Sequence, residues 1–327
     1  MNRASLMRTE RVTPVVALAL VVALFASMPL RTGESLETFD VYNALQGFAQ
    51  LGLLALAIGL TMIAGEFDLS VVGTYALGGM VAVKVGQSDP LLGVLAAVGC
   101  GIVIGAVQGG LIAALRIPSM PVTLATYIAL LGLTYAMSGG LSVSFTNFDA
   151  VLWVDQTIAG IFSPRSLITL GAFVLLTVLL AGTRLGRELR AVGGDRRAAR
   201  VAGVRVERTL VVLFTTSGAL AALGGALLAY SFASANPDPG LRPLLIAAVA
   251  ALLGGVSLAG GRGAPLGLLA GALSVALLAQ VVAVSKLPDY WIQLFYAALL
   301  AIIVAIDSPG LRRGVDRIRA RRGVVVS

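Results

Sequence analysis

Long apolar runs follow one another along nearly the whole chain, and short polar or basic segments separate them. A membrane-spanning α-helix needs about 20 predominantly apolar residues, and the length of each run is close to that value. The pattern therefore predicts an all-α, polytopic membrane protein of about ten transmembrane helices. The ten runs are 12–30, 44–64, 70–86, 91–115, 121–139, 165–182, 209–231, 243–260, 264–285 and 289–307.

The basic residues predict how these helices are oriented. Loops on the cytoplasmic side of membrane proteins carry an excess of Lys and Arg. With ten spans and a cytoplasmic N-terminus, the cytoplasmic regions hold 19 of the 24 Lys and Arg residues, so both termini are predicted to be cytoplasmic. The predicted organisation is a cytoplasmic N-terminal segment (1–11), a transmembrane domain (12–310) with a long cytoplasmic loop (183–208), and a basic cytoplasmic tail (311–327).

The composition supports a membrane environment and excludes several chemistries. The chain is 58% hydrophobic and 12% charged, whereas soluble domains have roughly 45–50% apolar and about 25% charged residues. Cys100 is the only cysteine, so an intramolecular disulfide is excluded. Histidine is absent, which removes the commonest general base and metal ligand. No catalytic residue and no metal site is predicted. The net charge of +8 follows the membrane topology and does not indicate nucleic-acid binding.

The long cytoplasmic loop contains signals for a short helix. Asp195 is a good N-cap because its carboxylate accepts hydrogen bonds from free backbone N–H groups, and Gly203 suits the left-handed position that ends a helix. Between them, Ala198, Ala199 and Ala202 give the helix a small apolar patch that suits insertion into a groove on another protein. A loop that only fixes topology needs positive charge but no capped helix, so the docking interpretation is favoured over that alternative.

The same loop carries a family resemblance. The segment GRELRAVGGDRRAARVAGVRVER (186–208) resembles the cytoplasmic coupling region of the ribose-type, or monosaccharide, permeases of ABC importers, a family that also includes branched-chain amino acid permeases. Asp195 replaces the usual Asn and keeps its capping chemistry, whereas Glu66 stands where the family pattern has a second glycine. Four other blocks resemble the family in the same order: GEFDLSVVGTYALGG (65–79), RIPSMPVTLATY (116–127), SANPDPG (234–240) and IAAVAALLGGVSLAGGRGAPLGLLAGAL (246–273).

The resemblance implies a permease subunit of an ATP-binding cassette importer in the inner (cytoplasmic) membrane, which is not an enzyme and moves a monosaccharide-like solute. Its expected partners are a cytoplasmic ABC ATPase, a second permease subunit (identical or different), an extracytoplasmic solute-binding protein and the lipid bilayer. The chain has no G-x-x-x-x-G-K-[ST] loop, so no cofactor is expected in it, and ATP and Mg are expected on the ATPase. The predicted ATPase-coupling residues are Gly193, Gly194, Asp195, Arg197, Ala198, Ala199, Arg200 and Gly203.

A second group of polar residues is a candidate substrate pathway. Neutral polar side chains present donors and acceptors to a hydroxylated solute without the cost of burying a charge, although Ser and Thr in spanning helices also serve helix packing. For Asp68 two interpretations stay open, a residue on the pathway and a cap of the third helix, because a charge at the bilayer centre costs roughly 2.5–3.5 kcal/mol. The candidates are Asp68, Ser70, Thr74, Thr123, Thr126 and Asn236.

Two further patterns predict packing and surface position. Glycines at 101, 105 and 109, and at 267 and 271, form the G-x-x-x-G spacing that allows close packing of spanning helices. Residues 140–164 form a long extracytoplasmic connection whose aromatic residues are predicted to lie at the membrane interface, with substrate contact as the alternative. These aromatic residues are Phe145, Phe148, Trp153 and Phe162.

Other transport functions remain open at the level of sequence. A permease for nucleosides, branched-chain amino acids or a sugar-derived signal carries the same general pattern. An ion-coupled carrier that acts alone is disfavoured because no buried chain of Asp, Glu and His suited to proton relay is evident. A membrane enzyme is disfavoured because histidine and a cluster of carboxylates are lacking.

Overall fold

The computed structural model describes residues 3–33, 35–288 and 290–307. The basic tail predicted at 311–327 lies outside the described residues. The described chain forms fourteen helices and one two-stranded antiparallel sheet, as follows: α1 Arg3–Ala26, α2 Met28–Thr32, α3 Thr38–Ile63, α4 Ser70–Val85, α5 Pro90–Leu115, α6 Ser119–Ser138, β1 Val143–Ser144, α7 Phe148–Asp155, α8 Pro164–Gly182, α9 Arg184–Gly194, α10 Arg196–Val201, α11 Val206–Ser231, β2 Ser234–Ala235, α12 Arg242–Leu253, α13 Pro265–Val284 and α14 Tyr290–Asp307.

The fold is that of an all-α polytopic membrane protein. Within the described residues, six helices are long and apolar enough to cross a membrane, namely α3, α5, α6, α8, α11 and α13. Four shorter apolar helices accompany them: Pro14–Ala26 within α1, α4, α12 and Tyr290–Ile302 within α14. The apolar run predicted through residue 260 ends earlier, because α12 stops at Leu253 and the chain then turns at Gly255, whose φ is +80°.

The connections between spanning helices gather at two ends of the bundle. At one end, which we call the junction end, Gly261 N donates to Ile63 O at 2.8 Å and Phe67 N donates to Ser119 Oγ at 3.3 Å. At the opposite end, Gln87 Nε2 donates to Ser144 O at 3.1 Å, and the strands β1 and β2 pair. Connections that follow one another along the chain therefore alternate between the two ends.

Glycines at the predicted spacing bring α5 and α11 into backbone contact. A Cβ atom built on Gly105 would lie 2.1 Å from Phe214 O, and one built on Gly101 would lie 2.3 Å from Gly218 O. The second predicted pair of glycines also permits a backbone contact: a Cβ atom on Gly271 would lie 2.0 Å from Ala250 O in α12. The predicted packing role of these glycines is confirmed, since no larger residue fits without moving a helix.

The long connection at the opposite end is partly buried. Phe148 and Trp153 on α7 are exposed, as expected of aromatic residues at a membrane interface. For Phe145 that prediction is wrong, because its ring is buried and stacks on Tyr230 with 4.3 Å between the ring centroids. The pairing of β1 with β2 draws this segment inward, so Phe145 packs against α11 and away from lipid.

Polar contacts at the end of α7 hold this connection to the bundle. Arg165 Nε lies 3.1 Å from Asp155 Oδ1 in an ion pair whose arginine side chain is almost fully buried. Arg165 also donates to Gln46 Oε1 at 3.0 Å, and the Tyr42 hydroxyl donates to Asp155 O. Helices α3, α7 and α8 are therefore joined by charge-assisted hydrogen bonds, which are stronger than neutral ones.

A matched pair of alanine substitutions in α5 tests the backbone contact with α11. Gly105→Ala forces a methyl group against Phe214 O, and overpacking of this kind costs about 1–3 kcal/mol. Gly110→Ala, in the same helix, meets nothing within 4 Å. We expect Gly105→Ala to lower the midpoint of thermal unfolding in detergent and Gly110→Ala to leave it unchanged or raise it. Equal midpoints for the two variants would contradict the packing.

Candidate functional site

The loop 183–208 folds as two short helices instead of the single one that its sequence predicts. Its capping signals are confirmed: Asp195 Oδ1 accepts from Arg197 N at 2.8 Å and from Ala198 N at 3.0 Å, and Gly203 has φ +82°. Hydrogen bonds from the backbone N–H groups of Ala198 and Arg197 lower the pKa of the Asp195 carboxyl below its ordinary value. The preceding helix α9 was not predicted.

Helix α10 has an inward and an outward face. Ala199 is only 4% exposed and packs into the core of the protein itself, so its side chain is not presented to a partner. Ala198 and Ala202 are exposed, and Val201 between them is 91% exposed. We call Ala198, Val201 and Ala202 the outward face of α10. Sequence reasoning missed Val201, although its spacing of three residues from Ala198 is that of one helix face.

Backbone segments from three parts of the chain meet beside α9. A Cβ atom on Gly193 would lie 2.0 Å from Ile63 O and 2.6 Å from Gly261 N, and one on Gly260 would lie 2.6 Å from the Cα atom of Gly65. We call Gly65, Gly193, Gly260 and Gly261 the glycine junction. It joins the end of α9 to the α3–α4 connection (residues 64–69) and to the loop before α13. Gly65, Gly260 and Gly261 have φ between +74° and +78°, which favours glycine for conformational reasons as well.

An ion pair reinforces the glycine junction. The carboxylate of Glu66, next to Gly65, pairs with the guanidinium of Arg196 in the first turn of α10. The Glu66 side chain is 4% exposed, whereas that of Arg196 is 36% exposed. A buried carboxylate is costly unless a counter-charge accompanies it, so this contact holds α10 to the α3–α4 connection.

Two residues further along, Asp68 binds the other side of the α3–α4 connection to the bundle. It is 2% exposed. Its Oδ1 atom accepts from Ser70 N, Ser70 Oγ and Gln108 Nε2 at 3.0, 2.6 and 3.1 Å. Its Oδ2 atom accepts from Ser217 Oγ at 3.3 Å. The carboxylate therefore links α4, α5 and α11. Asp68 thus binds the first residue of α4, and its place on a solute pathway stays a prediction.

The other predicted pathway residues do not form one cluster. Thr123 Oγ1 donates to Phe67 O at 3.4 Å, so Thr123 joins Asp68 and Ser70 at the junction end. Thr126 Oγ1 donates to Val122 O in its own helix at 2.9 Å. Thr74 is buried in α4. Asn236 is exposed at the opposite end, where its Oδ1 atom accepts from Asp238 N at 3.1 Å.

Several residues of this site were missed by sequence reasoning. Gln108 and Ser217 supply donors to Asp68, and Glu66 and Arg196 form the ion pair. Gln108 has a usable signal, because an isolated amide within a long apolar helix requires a partner inside the protein. Among the described residues, no group of three or more His, Cys, Asp or Glu side chains is placed to hold a metal ion.

Neighbouring glycines at the end of α9 provide a test of the glycine junction. Gly193→Ala places a methyl group against Ile63 O, whereas a Cβ atom on Gly194 meets nothing within 4 Å. We expect Gly193→Ala to displace α9 and α10, so that trypsin cleaves at the arginines of residues 184–205 about tenfold faster, since proteolysis follows local opening. Gly194→Ala is the control and should be cleaved at the wild-type rate. Equal rates for both variants would show that the close contact does not hold the loop.

Known proteins resemble the chain over most of its length. The xylose transport system permease protein of Escherichia coli strain K12 is 30% identical over 91% of this chain and 92% of its own length. The ribose import permease protein of the same strain is 30% identical over 90% and 92%. The fructose import permease protein of Rhizobium meliloti is 30% identical over 89% and 83%. No solved structure matches the chain significantly.

A family model matches residues 41–304, which include the α3–α4 connection, helices α9 and α10 and the loop before α13. Its description is "Branched-chain amino acid transport system / permease component". The match covers most of the chain and agrees with the multi-pass helical fold. The chain therefore belongs to this family of membrane transport permeases.

Proposed function

We propose that this chain is the permease subunit through which an ABC importer moves a monosaccharide into the cell. The observation that carries the proposal is the similarity, over about nine-tenths of the chain, to permeases named for xylose, ribose and fructose. The description of the family names branched-chain amino acids, so those solutes, nucleosides and sugar-derived signals are the alternatives that an uptake assay has to separate.

Ten spans with both termini in the cytoplasm form part of this proposal. The six long apolar helices and the four shorter ones coincide with the ten predicted runs. The arginine-rich segment 184–208 includes Gly193 of the glycine junction, and its excess of positive charge supports a cytoplasmic position for the junction end. In this arrangement the domain boundaries are those predicted from the sequence, with residues 183–208 as the coupling loop of the permease domain.

The outward face of α10 is the proposed docking site of a separate ABC ATPase, which would hold ATP and Mg. Its apolar side chains are flanked by the exposed Arg197 and Arg200, and Asp195 and Gly203 fix the ends of the helix. Ala199, on the inward face of α10, and Gly193, at the end of α9, contact the rest of the permease, whereas Gly194 is exposed. The exposed apolar faces of α5 and α6 suit lipid and a second permease subunit, and the opposite end of the bundle would receive an extracytoplasmic solute-binding protein.

The predicted pathway residues divide between two roles in this proposal. Asp68, Ser70 and Thr123 close the cytoplasmic end, since their polar atoms bond to one another or to the α3–α4 connection. Thr126 and Asn236 are partly or fully exposed and remain candidates for solute contact. Thr74 lies one helical turn beyond Ser70 and supports the same part of α4.

Uptake by a reconstituted complex tests the function. The permease is placed in proteoliposomes with its co-purified ATPase and binding protein, and labelled ribose, xylose, fructose, leucine and adenosine are compared. We expect one of the sugars to accumulate only when ATP is supplied. Transport by the permease alone would instead establish an ion-coupled or passive carrier, and uptake of leucine or adenosine without any sugar would assign one of the alternative solutes.

Side-chain size on the outward face of α10 tests the docking site. Ala198→Trp places a bulky ring where a close helix contact is proposed, and we expect the amount of ATPase that co-purifies with the permease to fall about tenfold, a loss typical of a disrupted interface centre. Ala198→Ser keeps the side chain small and is the matched control. Normal ATPase recovery with Ala198→Trp would contradict docking at this face.

A further inference from the structure

We propose that the ion pair between Glu66 and Arg196 is a mechanical latch, through which a movement of α10 is transmitted to the α3–α4 connection and from there to the spanning helices. The proposal rests on the function proposed above. It assigns Glu66 and Arg196 as positioning residues of the transport cycle, a role that is additional to the docking contacts of α10.

The input side of the latch consists of two contacts between the same pair of segments. Gly65 and Gly193 bring the backbones together, and Glu66 and Arg196 add an ion pair directly beside them. An apolar contact can slide without a large penalty, but separating this pair would leave the Glu66 carboxylate buried without a counter-charge. The two segments therefore move together when α10 is displaced.

Phe67 and Asp68, one and two residues beyond Glu66, connect the latch to the spanning helices. The backbone N–H of Phe67 donates to Ser119 Oγ, and its carbonyl accepts from Thr123 Oγ1, so Phe67 is tied to the start of α6. The Asp68 carboxylate binds donors on α4, α5 and α11. The six residues of the α3–α4 connection thus receive a displacement at residues 65–66 and pass it to four helices at residues 67–68.

Two other arginines of α10 have surroundings different from those of Arg196. Arg200, one turn beyond Arg196 on α10, pairs with Glu207 at 3.1 Å. Arg197 is exposed on the other side of the helix. A glycine at position 66, as in the ribose-type pattern, has no side chain that pairs with Arg196, so the ion pair is a feature of this chain and not of the general pattern.

Substitutions that separate charge from packing test the latch. Glu66→Gln removes the charge at constant size, Arg196→Lys conserves it, and Glu66→Met with Arg196→Met replaces the pair by apolar side chains, a change that is often tolerated by folded proteins. Glu207→Gln, which breaks the exposed pair with Arg200, is the control. The measurements are the amount of co-purified ATPase and the number of ATP molecules hydrolysed per molecule of labelled sugar taken up in proteoliposomes.

If the ion pair is a latch, the number of ATP molecules hydrolysed per sugar molecule taken up should rise about tenfold in Glu66→Gln and in the double Met variant. A change of this size is typical of the coupling between two sites. The double Met variant should still bind the ATPase, and Arg196→Lys and Glu207→Gln should keep the wild-type ratio. If the double Met variant assembles and couples normally, the ion pair serves folding alone and the latch is overturned. A wild-type ratio in Glu66→Gln would overturn it as well.

A second readout separates the latch from the proposed substrate class. In a Cys100→Ala background, the substitution Thr126→Cys on α6 reports movement of that helix by its rate of maleimide labelling with and without ATP. If the wild-type complex takes up none of the sugars, the proposed function fails, and the latch is judged by this readout alone. We expect ATP to change the labelling rate severalfold in the wild type and not in Glu66→Gln; the same response in both would overturn the latch.

Discussion

The contact of Gly193 with Ile63 O and Gly261 N is the constraint on which the junction end of the structure depends. It brings backbone against backbone, so no side chain larger than hydrogen fits at this point. Because α9 is held there, the next turn of chain places Arg196 beside Glu66 and turns Ala199 towards the core. The same contact leaves Ala198, Val201 and Ala202 facing outward. The exposed outward face and the anchored inward face are thus opposite sides of one six-residue helix.

The membrane explains why polar groups concentrate in the α3–α4 connection. A backbone that is not helical has free N–H and C=O groups, and hydrocarbon offers them no partner. The connection is therefore enclosed by helices that supply donors: Gln108 and Ser217 for Asp68, and Ser119 for Phe67. Satisfying these groups joins α4, α5, α6 and α11 to one short segment. In the proposed transport cycle, the same hydrogen bonds would make these helices move together with the segment.

The features predicted from sequence are those encoded by neighbouring residues. Long apolar runs predicted the helices, glycine spacing predicted a closely packed face on α5 without naming its partner, and Asp195 and Gly203 predicted the ends of α10. Contacts between distant segments were not predictable in this way. Glu66 and Arg196 are 130 positions apart in the chain, and no pattern in the residues near either of them predicts that they pair. The burial of Ala199 and of Phe145 was missed for the same reason, since each depends on which element packs against it.

The central claim is that α9, α10 and the start of α6 move as one body with the α3–α4 connection. Ala191 and Ile117 are exposed and are replaced by Ala191→Cys and Ile117→Cys in a Cys100→Ala background for attachment of spin labels. Double electron–electron resonance then measures the distance between the two labels. In the wild-type complex, we expect one narrow distance distribution that is the same without nucleotide and after vanadate trapping. In Glu66→Gln, we expect the distance to change on trapping. A distance that changes between the two states of the wild-type complex would contradict the account.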